Sequence, residues 1–265
     1  MLRDITLGQY FPGDTVVHRL DPRTKLLLVV IYIVGLFSAT GWQSYALIIA
    51  VTALSLAVAK IKPKSAFRGL KPLIFIIVLT ALLNIFYTDG TPVAAGWPIT
   101  WDGIYKAIMM SLRIILLIIG TFMLTYTTSP IALTDGLELL LNPLKKIKVP
   151  VHEMSMMMSM ALRFIPTLIE ETDKIMSAQK ARGADFETGG LMQRAKALLP
   201  ILVPLFVSAF RRADELAVAM ESRCYHGGEG RTRMKQLKMA GRDWMALLLG
   251  ALFLAVIYVM KHFGL

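Results

Sequence analysis

The sequence predicts an all-α, polytopic membrane protein with about five transmembrane helices and a cytoplasmic domain with two long amphipathic helices. Three observations carry that expectation. Hydrophobic residues make up 55 % of the 265 residues, with a mean hydropathy of +0.59, whereas an ordinary soluble domain holds about 45–50 % apolar residues. The apolar residues gather in uncharged runs at 26–37, 42–59, 72–88 and 244–260, and a membrane-spanning helix needs roughly 17–25 mostly apolar residues. Between 128 and 242 the texture changes to 17 Lys plus Arg and 12 Asp plus Glu, with apolar residues recurring at helical spacing rather than in unbroken runs.

The elements follow in order. The opening "MLRDITLGQYFPGD" is mixed and polar, without the charged, apolar and small-residue regions of a cleaved signal, so the first apolar run is expected to be retained. Asp21 and Pro22 precede "RTKLLLVVIYIVGLFSATG". Asp caps a helix start and Pro suits the first helical position, which places span one at 24–40. A turn at Gly41 and Trp42 leads to span two at 42–59. The loop "KIKPKSAFRGLK" then carries five positive charges and no acid. Span three is expected at 70–88, span four at 104–127 and span five at 243–261. The domains are therefore 1–127, holding four spans; 128–242, the cytoplasmic domain; and 243–265, the final transmembrane helix.

The net charge of +11 is read as topology rather than as nucleic-acid binding, because Lys and Arg collect on the cytoplasmic side of membrane proteins. The N-terminus, the 60–71 loop and the 128–242 region are basic, whereas 89–103 holds two acids and no Lys or Arg. The first three are assigned to the cytoplasm, which leaves the short C-terminus outside. Its Lys261 dissents mildly.

Two long segments stand out in the basic region. The first begins at Pro150 and places Met154, Met158, Leu162, Ile165 and Ile169 at helical spacing. Pro166 is expected to bend it, and Gly183 is a suitable stop. The second runs from about 191 to 223. Its stretch 195–210 is apolar and contains Pro200 and Pro204; it is read as resting against the membrane or the other spans. If it crossed instead, Arg182 and Arg223 would lie on opposite sides. A shift of 41 residues brings Ile169 onto Phe210, Asp173 onto Asp214, Ala178 onto Ala219 and Arg182 onto Arg223. The same shift sets Glu170 and Glu171 on Arg211 and Arg212, a sign reversal suited to two helices that meet there.

An arginine at a helix end is favoured by the helix dipole alone, by about 0.3–1 kcal/mol when exposed. The matched pair asks for more. Ala181 and Gly183 flank Arg182, and Ser222 and Cys224 flank Arg223, so small neighbours leave each guanidinium projecting. Its rigid fork of five donors suits carboxylates and carbonyls in a partner's groove. Residues 181–183 and 222–224 are the candidate docking sites. Met154, Met156, Met157, Met158 and Met160 crowd one stretch; methionine fills irregular cores, and it also suits surfaces that meet several partners.

The stretches "HRLDPRTKLLL" at 18–28, "ALRFIPTLIEETDKI" at 161–175, "QKARGADF" at 179–186 and "SRCYHGGEGRTR" at 222–233 together resemble EcfT, the transmembrane coupling component of energy-coupling factor (ECF) transporters, a family that includes CbiQ. The family signature is a pair of Ala-Arg-Gly-like triplets. Here the first is intact at Ala181-Arg182-Gly183 and the second departs as Ser222-Arg223-Cys224. The resemblance implies that each triplet ends a long cytoplasmic helix, that the two helices cross, and that each arginine docks in one of two ATP-binding-cassette (ABC) ATPases. It implies a further partner, a substrate-binding membrane S component, one or several of them interchangeable, and uptake of vitamins or related micronutrients. The chain itself would need no cofactor; ATP and Mg would act in the partner ATPases.

Other chemistry finds little support. "GGEGRTR" lacks the spacing of a phosphate-binding loop, and no His pair has HExxH spacing. His152-Glu153 and His226 with Glu229 are the nearest material for an enzyme, and a scaffold without energy coupling is the remaining alternative. One cysteine allows no internal disulfide. Lys106 is placed to reach the outer interface. Arg113, inside span four, is expected either to pair with a helix carbonyl or a polar neighbour or to make a functional contact; Thr80 and Asn84 are polar candidates on another span.

Overall fold

The computed structural model describes residues 10–62, 65, 69–92, 99–186, 190–227 and 236–263. These form α1 (Pro22–Ser38), α2 (Trp42–Ala59), a 3-10 turn (Lys71–Leu73) running into α3 (Ile74–Tyr87), α4 (Trp101–Thr127), α5 (Pro130–Leu141), a second 3-10 segment (Asn142–Ile147), α6 (Val151–Ala181), α7 (Leu191–Glu221) and α8 (Gly241–His262). Among the described residues there is no strand, only an isolated bridge between Pro92 and Thr100. By length and composition α2, α4 and α8 can cross a membrane, and Lys71–Tyr87 is apolar but shorter. The chain is a helical membrane protein.

Two compact units divide the chain at 139/140 and 236/237, whereas the sequence reading placed its boundaries at 127/128 and 242/243. Two contacts account for the membrane unit's larger share. A Cβ on Gly136 of α5 would lie 2.8 Å from the Cβ of Pro22, so α5 sits tight on the start of α1. Arg23 donates to the Leu237 carbonyl at 3.1 Å, which fixes the approach to α8.

In the membrane unit, α1 starts as expected. The Asp21 carboxylate accepts from the Arg23 N–H at 2.9 Å and Pro22 opens the helix. Asp243 accepts from the backbone N–H groups of Asp21 and Ala240, both at 2.8 Å. The Lys25 ammonium donates to the carbonyls of His18 (3.1 Å) and Thr127 (2.8 Å) and to the Thr128 hydroxyl (3.2 Å). Asp21, Lys25 and Asp243 are buried, and buried charges persist when paired and hydrogen-bonded. This knot joins the first turns of α1 and α8 to the last turn of α4, and it accounts for the density of charge in residues 18–25. Above it, Leu36, Tyr45, Ile48, Leu116 and Ile257 make a core from α1, α2, α4 and α8. A second core, of Leu70, Ile118 and Ile119 with Ile77 and Phe122, seats α3 on α4.

Arg113 is paired with a carbonyl and a polar neighbour, as expected, although neither Thr80 nor Asn84 is among those partners. Its Nε donates to the Tyr45 hydroxyl at 2.9 Å and Nη2 to the Ala39 carbonyl at 3.1 Å, with the Phe37 and Tyr45 rings within 6 Å. Thr80 and Asn84 bond back to Ile76 and Thr80 of their own helix. The carbonyl just past the end of α1 lacks an intrahelical donor, and the arginine supplies one.

In the second unit α6 and α7 form a hairpin of two 31-residue helices. Pro166 lies inside α6, and Pro200 and Pro204 lie inside α7, which continues unbroken through 195–210.

Candidate functional site: two arginine tips

The α6–α7 hairpin is held by contacts in antiparallel register. The Tyr225 hydroxyl donates to the Met156 sulfur at 3.1 Å. At mid-length Arg212 donates to Glu171 Oε2 from Nη2 at 3.0 Å and from Nε at 3.3 Å, and Ser208 donates to Oε1. Nearer the loop, the Gln179 amide donates to the Pro200 carbonyl at 3.3 Å. That last bond has a local cause. Pro204 has no N–H, so the carbonyl four residues before it loses its intrahelical donor, and α6 supplies a replacement. Of the four charges in the sign reversal, Glu171 and Arg212 meet, while Glu170 and Arg211 face solvent. The Ser208 hydroxyl and then Arg212 hold the Glu171 carboxyl below the usual glutamate range.

The two helix ends are built alike. After α6, Gly183 has a left-handed backbone (φ 89°), its N–H bonds to the Lys180 carbonyl at 3.0 Å, and the Ala184 N–H reaches Gln179 at 3.0 Å. After α7, Cys224 is left-handed (φ 56°), its N–H bonds to Glu221 at 2.9 Å, and the Tyr225 N–H reaches Met220 at 3.1 Å. Both are Schellman turns, and every partner in the second is the partner in the first moved by 41 residues. The departure from glycine to cysteine therefore leaves the backbone shape intact. Lys60 and Lys148 close the α2 and 142–147 segments with the same turn. What sets the tips apart is the arginine immediately before the left-handed residue.

Ala181, Arg182, Gly183, Ser222, Arg223 and Cys224 are all exposed, and Cys224 is a free thiol. Among the described residues neither Arg182 nor Arg223 has a hydrogen-bond or ion-pair partner, so both forks stand open. A Cβ on Gly183 would meet nothing within 4 Å; only its φ, in a region that costs an L-residue about 1–2 kcal/mol, asks for glycine. Because the helices run antiparallel, the tips lie at opposite ends of the hairpin. Arg182 lies level with about residue 198 of α7, and the roughly 25 residues from there to Arg223 set the tips on the order of 40 Å apart at 1.5 Å per residue.

The methionines separate into two sets. Met154, Met157 and Met158 are exposed, whereas Met156 and Met160 are half-buried, with Met156 held by Tyr225. A helix turns 100° per residue, which puts positions three and four apart together and positions two apart on opposite sides. Three features escaped the sequence reading. Tyr225 seals the second tip; the Gln179 bond answers Pro204; and α7 exposes Leu198, Leu199, Leu202, Val203, Phe206 and Phe210. The spacing of that last set was visible, but not which side faced α6. Glu229 and most of the glycine-rich run lie outside the described residues. Among the described residues no group of His, Cys, Asp or Glu could hold a metal ion.

Known proteins resemble the chain over nearly its whole length. Residues 13–234 match the family model CbiQ, cobalt transport protein. The chain is 55 % identical over 266 residues to the energy-coupling factor transporter transmembrane protein EcfT of Clostridium kluyveri, covering 99 % of this chain and 98 % of that one. It is 56 % identical to EcfT of Thermosediminibacter oceani, covering 99 % of both. It is 47 % identical to EcfT of Bacillus subtilis, covering 98 % of this chain and all of the relative.

Proposed function

Because this chain belongs to the family of CbiQ and EcfT, we propose that it is the membrane coupling subunit of an ATP-driven ECF-type importer. In this reading the subunit makes and breaks no bonds. ATP and Mg bind to two partner ABC ATPases, and each ATPase receives one arginine tip. A substrate-binding S component meets the exposed methionine face of the hairpin, with Met154, Met157 and Met158 among its contacts, and the cargo is a vitamin or related micronutrient. The α6–α7 hairpin and both tips lie in the cytoplasm.

The observation that carries this reading is the pair of matched turns, each presenting an exposed guanidinium with no partner among the described residues. An exposed arginine gains little by remaining in water. In a partner's groove its fork satisfies several acceptors at once and acts as an anchor. As the two ATPases approach and separate, tips seated in each of them are drawn relative to one another. The hairpin passes that displacement to the S component, so ATP turnover and substrate release share one two-state element.

The test is affinity purification of the tagged chain from mild detergent, comparing wild type with Arg182→Glu, Arg223→Glu and the double variant. Two ATPase chains are expected with wild type. Each single variant is expected to weaken their recovery by at least tenfold or to uncouple ATP hydrolysis from uptake. Full recovery and full uptake in the double variant would remove the arginines from the mechanism. A scaffold without energy coupling would instead hold its partner and show no ATP-dependent uptake.

A further inference from the structure

The membrane unit contains a cavity of about 460 Å³, within the ~300–1,000 Å³ range of small-molecule sites. Its walls come from one level of four helices: the first half of α1 and α8 and the last part of α2 and α4. α1 and α2 diverge from their turn at Ala39–Gly41, each packing on α4 and α8. Leu28, Val51, Leu54, Leu124, Leu249 and Phe253 supply apolar wall.

The few polar groups in that wall are already engaged. Tyr32 Oη bonds to Thr52 Oγ1 and to the Leu116 carbonyl, both at 3.0 Å. Thr52 Oγ1 donates to Ile48, Ser55 Oγ to Thr52 and Thr127 Oγ1 to Met123, at 2.7, 2.8 and 2.9 Å. Lys25 has one acceptor for each of its three N–H bonds, all within the protein. An occupant would therefore find almost no hydrogen bonds on offer. A polar solute would lose its hydration there without replacement, at a cost of several kcal/mol, so the cavity does not suit a water-soluble cargo. An alkyl chain loses nothing.

Charge identifies the source of that chain. The cavity wall continues along α2 to Val58, and Lys60 and Lys62 follow, both exposed. An apolar slot between membrane helices with the exposed cations of Lys60 and Lys62 at its basic end matches a lipid whose headgroup is anionic. We propose that this cavity holds one acyl chain of an anionic phospholipid from the leaflet on the basic side, with the headgroup at Lys60 and Lys62.

Native mass spectrometry of the full chain tests this, in mild-detergent micelles doped equally with palmitoyl-oleoyl phosphatidylglycerol and the matching phosphatidylcholine. Wild type is expected to retain one phospholipid, with phosphatidylglycerol preferred by roughly fivefold per lysine. Ser55→Phe and Leu124→Trp fill the cavity from two different walls, and each is expected to lower retention at least fivefold with helicity unchanged by circular dichroism. Lys60→Gln with Lys62→Gln keeps the lipid and loses the headgroup preference. No retained lipid in wild type, or undiminished retention in both folded filling variants, overturns the proposal. If the filling variants unfold, an unchanged headgroup preference in the lysine double variant overturns it. A cross-link from Leu54→Cys to a partner's membrane helix, in a complex that retains no lipid, gives the cavity to protein instead. None of these outcomes bears on the arginine tips.

Discussion

The two tips share one backbone turn but fill its left-handed position differently, and exchanging those residues tests whether the turn sets the tip. Gly183 at φ 89° and Cys224 at φ 56° both occupy the region that costs an L-residue about 1–2 kcal/mol. For Gly183→Ala the cost is purely conformational, since a Cβ there meets nothing within 4 Å. A smaller unfolded-state entropy offsets part of it by about 0.4–1 kcal/mol, leaving a net loss of about 1 kcal/mol. Cys224→Gly runs the same cycle backwards and should gain up to about 1 kcal/mol. Hydrogen exchange followed by mass spectrometry on peptides covering 178–186 and 219–227 reads this locally, because opening of a helix end is a sub-global event. A change of about 1 kcal/mol is about fivefold in exchange rate. The amides of Ala184 and Tyr225, which close the turns, should exchange about fivefold faster in the first variant and severalfold slower in the second. Unchanged rates at both tips would show that the turn does not hold these ends, and the argument from matched geometry would fail.

Three further outcomes follow from the hairpin. Gln179→Leu should loosen α6 from α7 by about 1 kcal/mol, the net worth of one hydrogen bond. In Pro204→Ala, where the Pro200 carbonyl regains its own donor, the same change should cost almost nothing; equal costs in both backgrounds would exclude the proposed link. Glu171 has its carboxyl held below its unfolded value by Ser208 and Arg212, so its contribution is complete above the unfolded pKa and is lost as pH falls through the lower, folded one. Hydrogen exchange across 165–175 should therefore be flat from neutral to mildly acidic pH, once corrected for intrinsic rates, and rise only below the ordinary glutamate range; Glu171→Gln should remove that rise. Finally, leucine at Met154, Met157 and Met158 should leave the hairpin intact yet change uptake of two different substrates unequally. Equal loss, or none, would reject adaptable recognition by that face.

What the sequence made legible was mostly local. Asp21 and Pro22 announce the start of α1 because a cap acts within two or three residues, and the structure places the bond there. The repeat at 41 residues was visible because both helices end through the same backbone chemistry. The Glu171–Arg212 pair was foreshadowed by the sign reversal, since complementary charges at matched positions need only one crossing to meet. The misses were contacts at long range or without a compositional cue. The partners of Arg113 are the Tyr45 hydroxyl and the Ala39 carbonyl; every residue carries a carbonyl, so nothing singled out Ala39. Cys224 in a left-handed turn is hidden because cysteine is not a residue that advertises one. α5 fell inside a charged region, and only its glycine against Pro22 shows why it belongs with the membrane unit. The docking roles proposed for residues 181–183 and 222–224 rest on exposure and on donors unused among the described residues, which the sequence could suggest only through small neighbours.

The position of the Glu171–Arg212 bridge has a mechanical corollary. It lies eleven residues before Arg182 on one helix and eleven before Arg223 on the other, about 17 Å from each at 1.5 Å per residue. The arms that lead from it to the two tips point in opposite directions and are of equal length. Tilting one arm by about 10° about this hinge would carry its end through roughly 3 Å, and neither end would enjoy a leverage advantage over the other. Two motors gripping the ends would pull against the same hinge on equal terms.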